Sequence, residues 1–316
     1  MSKTFVNPVM GSSSHSANPN HPNNPAENKS LPVPSAAQIE RSEQLLAQIK
    51  HLIEQNDGWL AFDQYMNAAL YTSDLGYYAN ELSPFSMWAE QGDFITAPLL
   101  SPLFGASVAE QALEVFDPMP DASPSILEFG AGTGRLAADI LQFFAERQMA
   151  VNYSIMELSG SLRAQQRATI HEALAGFEHQ HDITWLDALP ENFNGVVLGN
   201  EVLDAMPVRL IGMRDGVWFE RGVAIENHQL VWQDRPTNAQ LPMDTDWQQA
   251  LRLSQSQYLS ETHEQQIAFM HSVVQCVQRG VIVMIDYGFP VGEFYHPQRN
   301  TRRLICHIQH TAHDDA

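Results

Sequence analysis

The first third of the chain shows apolar positions at helical spacing. Ser35 is a residue type that caps helices, and the apolar side chains that follow it are Ile39, Leu45, Ile49, Leu52 and Ile53. The turn sequence Asn56-Asp57-Gly58 ends this run. We therefore predict a helix here, a short second helix that ends at Tyr71, and a third helix from Pro102 to Val115.

From Ser125 onward the pattern changes to short apolar runs that alternate with helical stretches. The predicted strands are Ser125–Phe129, Tyr153–Met156, His181–Trp185, Gly195–Leu198 and Val281–Ile285. A long helix from Glu261 to Gln278 precedes the last of them. Strands separated by helices indicate a mostly parallel sheet with right-handed crossovers.

The stretch between the fourth and fifth strands breaks this alternation. Val208–Met213 and Val217–Val223 flank the turn sequence Asp215-Gly216 and predict a β-hairpin, with Leu230–Trp232 as a further strand. We expect this insertion, at about residues 208–260, to lie over the carboxyl edge of the parallel sheet, where α/β folds bind ligands.

Composition divides the chain further. Residues 1–35 contain seven Ser, six Pro and six Asn, too polar a mixture to form a core, and we predict a disordered tail. An N-terminal helical cap region would then occupy residues 36–120, and residues 121–316 would form the α/β domain with its insertion.

Charge and cysteine content exclude several classes of protein. The formal net charge is −20, which argues against binding to the phosphate backbone of nucleic acid. The two cysteines cannot form a disulfide framework, and the histidines at 307, 310 and 313 lack acids in a defined geometry, so we predict no metal site. Without a membrane-spanning run or a secretory signal, we expect a cytoplasmic protein with no membrane insertion.

The segment from Glu128 to Gly134 is the most informative part of the sequence. An apolar strand ends at Phe129, the alternate glycines Gly130, Gly132 and Gly134 follow, and a helix begins. Glycine lets a ligand approach the backbone closely, and a helix N-terminus offers unpaired N–H groups. This pattern predicts a nucleotide-like cofactor.

Two cofactors fit this loop, and the acid in front of it favours one of them. The pattern also matches the NAD fingerprint, and with either cofactor Glu157, about 20 residues on, would bind ribose hydroxyls. A carboxylate at Glu128 would face the cationic amine of S-adenosylmethionine, whereas it would repel the pyrophosphate of NAD. Asp187 follows the third strand and is a candidate for binding the exocyclic amine of adenine.

A second group of polar residues follows the fourth strand. Asn200, Glu201 and Asp204 come after an apolar run and should border the reactive end of the cofactor. Two carboxylates can orient a cationic nitrogen nucleophile and match a guanidinium bidentately. We therefore predict that Glu201 and Asp204 position the acceptor; for Asp204 a helix N-cap is an equally good interpretation.

Several motifs together resemble the MidA-like S-adenosylmethionine-dependent methyltransferases, a family that includes mitochondrial protein arginine methyltransferases of respiratory complex assembly. The matching segments are Leu70-Tyr71, Gly76-Tyr77-Tyr78, Gly92–Pro98, Ser101–Gly105, Glu128–Gly134, Asn200-Glu201, Asp204–Pro207, Ser260-Glu261 and Asp286-Tyr287-Gly288. Gly92–Gly105 and Asn200–Pro207 are far more specific than the glycine loop, which many methyltransferases share.

The resemblance implies a class I methyltransferase fold of Rossmann-like type, S-adenosyl-L-methionine as methyl donor, and a protein arginine as acceptor. It also implies that Gly92, Asp93, Phe94 and Thr96 help to enclose the donor. Leu99 stands where the family usually has Glu, so an acid role at that position is absent.

Family members continue beyond the stretch in which this sequence ends, so we expect the last strands of the sheet to be missing. An unpaired sheet edge would follow. Two other functions stay open on the sequence: an NAD-dependent oxidoreductase, and a non-catalytic assembly or scaffold protein that keeps the methyltransferase fold.

Overall fold

The computed structural model describes residues 34–79, 96–177, 181–253, 257–299, 306–308 and 311–313. The described residues form the helices α1 (Ala36–Gln55), α2 (Phe62–Tyr71), α3 (Ala97–Leu100), α4 (Pro102–Phe116), α5 (Arg135–Glu146), α6 (Gly160–Ala173), α7 (Thr245–Leu253), α8 (Glu264–Cys276) and α9 (Val291–Phe294). Their strands are β1 (Trp59–Ala61), β2 (Ser125–Phe129), β3 (Asn152–Met156), β4 (Asp182–Leu186), β5 (Phe193–Asn200), β6 (Arg209–Arg214), β7 (Val217–Glu226), β8 (Gln229–Pro236), β9 (Tyr258–Thr262), β10 (Val277–Ile285), β11 (Cys306–Ile308) and β12 (Thr311–His313).

The chain divides into two compact units. The parallel-sheet unit comprises Tyr78–Pro207 and His263–Phe289, and the antiparallel-sheet unit comprises Met1–Tyr77, Val208–Thr262 and Pro290–Ala316. One boundary between the units, at Val208, coincides with the start of the predicted insertion, and none falls at residue 36 or 121.

The parallel-sheet unit contains the five strands that the sequence predicted. Their order is β10-β5-β2-β3-β4, and every neighbouring pair is parallel. Strand β2 is central and almost wholly buried, as expected for a strand with sheet on both sides. These results confirm the predicted α/β fold with a mostly parallel sheet.

Helix α4 packs within the parallel-sheet unit, although the sequence analysis placed it in a helical cap. Its buried residues Ala109, Ala112 and Phe116 share one core with α5, and the rings of Phe116 and Phe144 lie 6.1 Å apart. The contact is close because Gly105 has no side chain: a Cβ there would lie 2.5 Å from the Cβ of Asp139. Burial of this apolar face therefore determines where α4 belongs.

The antiparallel-sheet unit contains the predicted hairpin, formed by β6 and β7 around Asp215-Gly216. Strand β8 pairs with β7, while β1 and β9 complete a sheet in the order β1-β7-β6-β9. Helix α1 begins as predicted at Ser35, whose hydroxyl forms a capping box with Gln38. In β1, the indole of Trp59 donates a 2.9 Å hydrogen bond to the carbonyl of Gln233 in β8.

The predicted helix from Glu261 to Gln278 is too long at both ends. Residues 258–262 instead form β9, which is buried throughout and pairs with β6. Helix α8 stops at Cys276 because the chain already enters β10 at Val277. Among the described strands, β10 has a neighbour, β5, on one side only.

Two classes of feature are missing from the described part of the chain. None of its helices combines the length and the apolar character that a membrane crossing requires. Nor do its His, Cys, Asp and Glu side chains form any group of three or more that is placed to hold a metal ion.

Candidate functional site

The glycine loop follows β2 and leads into α5. Gly130, Gly132 and Gly134 have φ angles of 59°, 53° and 83°, in the left-handed region that favours glycine. Gly134 is the residue that precedes the first turn of α5, and its N–H donates a 2.8 Å hydrogen bond to the carbonyl of Ala131. The alternate glycines seen in the sequence are therefore needed for the bend itself.

The loop is packed closely on its outer side by α6. A Cβ on Gly134 would lie 2.8 Å from the Cα of Gln166, which is a backbone atom and cannot rotate away. The same glutamine donates a 3.0 Å hydrogen bond from Nε2 to the carbonyl of Gly132. The loop is thus held by helix α6 as well as by its own conformation.

A cavity opens beside the loop. The residues that line it are Thr96, Pro98, Glu128, Gly130, Ala131, Gly132, Thr133, Arg135, Leu136, Asn200 and Glu201. Six of these are residues that the sequence analysis assigned to the site: Thr96, Glu128, Gly130, Gly132, Asn200 and Glu201.

Glu128 lies at the base of this cavity and is 2% exposed. The hydroxyl of Tyr153 donates a 2.9 Å hydrogen bond to its Oε2. Burial raises the pKa of Glu128 to about 8, against the opposing effect of this hydrogen bond, and the charge of Glu157 adds to the rise. A cation placed beside this carboxyl group would favour its ionised form.

Glu157 follows β3, as predicted, but is not among the residues that line the cavity. Its Oε1 accepts a 3.0 Å hydrogen bond from the N–H of Ser159, and its Oε2 accepts one of 3.0 Å from Nε2 of Gln166. Burial raises its pKa, and these hydrogen bonds oppose the rise. The carboxyl group is therefore held in one orientation at the end of its strand.

Asp187 follows β4 and is engaged by a neighbouring cation. The guanidinium of Arg163 lies 2.7 Å from Oδ1 of Asp187, whose side chain is 88% exposed. Arg163 also donates to the carbonyl of Leu186. The predicted contact of Asp187 with adenine stays a prediction.

Glu201 lies directly after β5 in a conformation that is unusual for a residue with a side chain. Its φ is 52°, and its N–H donates a 2.8 Å hydrogen bond to the carbonyl of Ile285. Non-glycine residues in the left-handed region cost roughly 1–2 kcal/mol and occur preferentially at functional sites. Burial raises the pKa of Glu201, a hydrogen bond from Tyr287 opposes this, and the charge of Asp286 adds to it.

Asp204 belongs to the same group of acids as Glu201 and Asp286. Burial raises its pKa to about 7, and the negative charges of Asp286 and Glu201 contribute to the rise. Asp286 also holds the loop in place, since its Oδ2 accepts the N–H groups of Leu203 at 3.0 Å and Asp204 at 3.1 Å. Asp204 itself is not among the cavity-lining residues.

Three of the predicted donor-site residues, Gly92, Asp93 and Phe94, lie outside the described residues. Sequence reasoning also missed two residues that the structure brings to the site, Tyr153 and Gln166. Glu128 pairs with Ile155, so Tyr153 is its diagonal neighbour on the same face of the sheet, and only the structure shows this register. No sequence signal singled out Gln166 either, because a glutamine in a helix is usually solvent-exposed.

Comparisons with known proteins find relatives of this chain. A Burkholderia thailandensis protein of the COG1565 superfamily, solved bound to S-adenosyl-homocysteine, is 40% identical with a TM-score of 0.80 over 90% of this chain and 73% of that one. The Drosophila melanogaster homolog of protein arginine methyltransferase NDUFAF7 is 30% identical over 50% of this chain and 39% of its own length.

The mouse (Mus musculus) protein arginine methyltransferase NDUFAF7 is 26% identical over 58% of this chain and 47% of its own length. The chain thus spans less than half the length of these two curated relatives. The family model Methyltransf_28, described as S-adenosyl-L-methionine-dependent methyltransferase, matches residues 107–316. The chain therefore belongs to the Methyltransf_28 family, as the resemblance found in its sequence predicted.

Proposed function

We propose that this protein transfers a methyl group from S-adenosyl-L-methionine to an arginine side chain of a protein. The observation that carries the proposal is the buried carboxyl group of Glu128 at the base of the glycine-loop cavity. The S-adenosyl-homocysteine bound to the 40%-identical Burkholderia protein supports the donor, and the names of the curated relatives support the acceptor.

The residues of the cavity fit the donor. The backbone of Gly130 and Gly132 leaves room for close approach, Glu128 can pair with the amino group, and Glu157 can accept hydrogen bonds from ribose hydroxyls. When bound, the donor supplies a methyl group on a positively charged sulfur. Asp187 would contact the adenine.

The acids after β5 and β10 fit a cationic acceptor. Glu201 and Asp204 carry raised pKa values because they are buried and close to Asp286, and a guanidinium would relieve that repulsion. The nitrogen that gains a methyl group must lose a proton. Asp204, with a pKa of about 7, is suited to accept it near neutral pH.

The donor is tested first, by thermal unfolding with added ligand. S-adenosyl-homocysteine at a concentration far above its dissociation constant should raise the melting temperature by several degrees, since only the folded protein binds it. NAD at the same concentration should leave it unchanged. A shift with NAD alone would instead support the oxidoreductase. Gly132→Val is the control, because valine at a φ of 53° distorts the loop.

The acceptor is tested with a radiolabelled methyl donor and cell-extract proteins, followed by mass spectrometry of the labelled peptides. We expect methylated arginine, absent when the Gly132→Val protein is used. Label on lysine would contradict the arginine assignment. Donor binding without any transfer would favour a scaffold protein that retains the fold.

Glu201→Gly should separate stability from methyl transfer. Glycine has no backbone strain at a φ of 52°, and the substitution removes one of three neighbouring carboxylates. We therefore expect the free energy of unfolding to rise by roughly 1 kcal/mol. Methyl transfer should be lost, because the carboxylate that positions the acceptor is absent. Urea unfolding and a transfer assay measure the two effects.

The matched control for this variant is Asp215→Gly, in the exposed turn between β6 and β7. Asp215 has a φ of 51°, so it should gain similar stability and keep its activity. Full activity in the Glu201→Gly protein would remove Glu201 from the acceptor site.

A further inference from the structure

Gln166 of α6 is fully buried, and its side-chain amide bonds to three other segments of the chain. Its Nε2 donates to the carbonyl of Gly132 and to Oε2 of Glu157, both at 3.0 Å. Its Oε1 accepts a 2.8 Å hydrogen bond from the indole N–H of Trp185. Both amide hydrogens and the oxygen are therefore in use.

These three partners come from adjacent parts of one site. Gly132 lies in the loop after β2, Glu157 directly follows β3, and Trp185 is in β4. An amide is the side chain that can donate twice and accept once in this arrangement. A carboxylate would face Glu157 with like charge, and an apolar group would leave three buried polar groups unpaired.

We propose that Gln166 is a positioning residue that holds the glycine loop and Glu157 in the geometry needed to bind S-adenosylmethionine. This inference rests on the proposed function. The amide fixes the peptide group after Gly132, where glycine alone would leave the backbone mobile, and it orients one carboxylate oxygen of Glu157. Binding is then tighter because less conformational freedom is lost when the ligand arrives.

A second side chain of α6 supports this role independently. Arg163 donates from Nε to the carbonyl of Glu157 at 2.7 Å and from its terminal nitrogen to the carbonyl of Leu186 at 3.0 Å. The guanidinium of Arg167 lies 3.8 Å from the ring centre of Trp185, the indole that bonds to Gln166. Side chains of α6 thus contact the ends of β3 and β4 as well as the loop after β2.

The test is Gln166→Glu, which keeps the side-chain shape and the acceptor for Trp185 but loses both donors. Calorimetric titration with S-adenosyl-homocysteine at pH 8 should show about tenfold weaker binding than the wild type, the effect of a lost hydrogen bond to a charged group. At pH 6 the ratio to wild type should shrink, because a proton shared between residues 157 and 166 restores one donor. A role in folding alone would lower the melting temperature and leave the affinity of the folded protein for S-adenosyl-homocysteine unchanged at both pH values.

The matched control is Gln165→Glu, the same change on the neighbouring, partly buried position of α6. It should bind within about twofold of the wild type at both pH values. Where Gln166→Glu fails to fold, Trp185→Phe replaces it. An aromatic ring is kept and the N–H to Gln166 is lost, so we expect a smaller loss of affinity than in Gln166→Glu.

Amide hydrogen exchange of Gly130–Gly134 without ligand gives a readout that does not depend on the proposed function. Exchange should be faster in Gln166→Glu than in Gln165→Glu. The inference is overturned if Gln166→Glu shows unchanged affinity and unchanged amide exchange. It is also overturned if the variant loses the same affinity at pH 6 and pH 8 and this loss is in proportion to the fall in its melting temperature. A wild-type protein that binds no S-adenosyl-homocysteine would refute the proposed function, while the exchange experiment would still decide the role of Gln166.

Discussion

Glu128→Gln should remove a large fall in stability between pH 5 and pH 8. The folded protein holds the proton of this carboxyl group up to about pH 8, whereas the unfolded chain releases it near pH 4.5. The free energy of unfolding therefore decreases as the pH rises through this interval, by up to about 5 kcal/mol. Glutamine cannot ionise and still accepts the hydrogen bond of Tyr153, so the variant should be the more stable protein at pH 9.

Urea unfolding of the wild type and of Glu128→Gln at several pH values measures this effect. Asp204 also has a raised pKa and lowers the stability in the same direction, but it is present in both proteins, so the difference between their curves gives the contribution of Glu128. The control is Glu146→Gln, at an exposed position of α5, which should follow the wild type. Parallel curves for the wild type and Glu128→Gln would show that Glu128 is ionised throughout.

The Glu128→Gln substitution should weaken the binding of S-adenosyl-homocysteine although it stabilises the folded protein. In the wild type, the cationic amine of S-adenosyl-homocysteine favours ionised Glu128, so affinity should rise with pH up to about 8. In Glu128→Gln we expect binding at least about tenfold weaker at pH 8 and no such rise. Calorimetric titration at pH 6 and pH 8 distinguishes these results.

Gly134→Ala should destabilise the parallel-sheet unit by about 3 kcal/mol, the sum of two costs. Alanine is strained at a φ of 83°, and its Cβ would lie 2.8 Å from the backbone Cα of Gln166. Since α6 must then move away from the loop, the hydrogen bond from Gln166 to Gly132 should weaken, and donor affinity should fall with stability.

Gly160→Ala is the control for this substitution, in the first turn of α6. No atom lies within 4 Å of a Cβ built there, and alanine favours the helix, so the free energy of unfolding should stay equal or rise. Thermal unfolding of both variants gives the comparison. Equal stability of Gly134→Ala and the wild type would mean that the loop tolerates a side chain and that α6 does not press on it.

Much of the site could be predicted because its signals are local in sequence. The strand before Gly130, the alternate glycines and the start of α5 lie within a dozen residues. Glu201 could be placed for the same reason, since it directly follows an apolar strand whose carboxyl end lies beside that of β2. The left-handed conformation of Glu201 had no such signal, because glutamate is an unusual residue for it.

Strand β9 shows where local pattern misleads. Glu261 and Thr262 are polar and were predicted as the start of a helix, but both are buried in an antiparallel sheet. Their partner is β6, about fifty residues earlier in the chain, and the backbone pairing outweighs the helical preference of the segment.

The sequence by itself determined the alternation of strands and helices, the glycine loop and the acid in front of it, because these depend on spacings of a few residues, and its motifs indicated the family by resemblance. Only the tertiary structure decided that α4 belongs with the parallel sheet, that Tyr153 bonds to Glu128, and that Gln166 bonds to the glycine loop, Glu157 and Trp185. These contacts join residues distant along the chain. They form because a buried polar group must be hydrogen-bonded and an apolar face must pack against another apolar face.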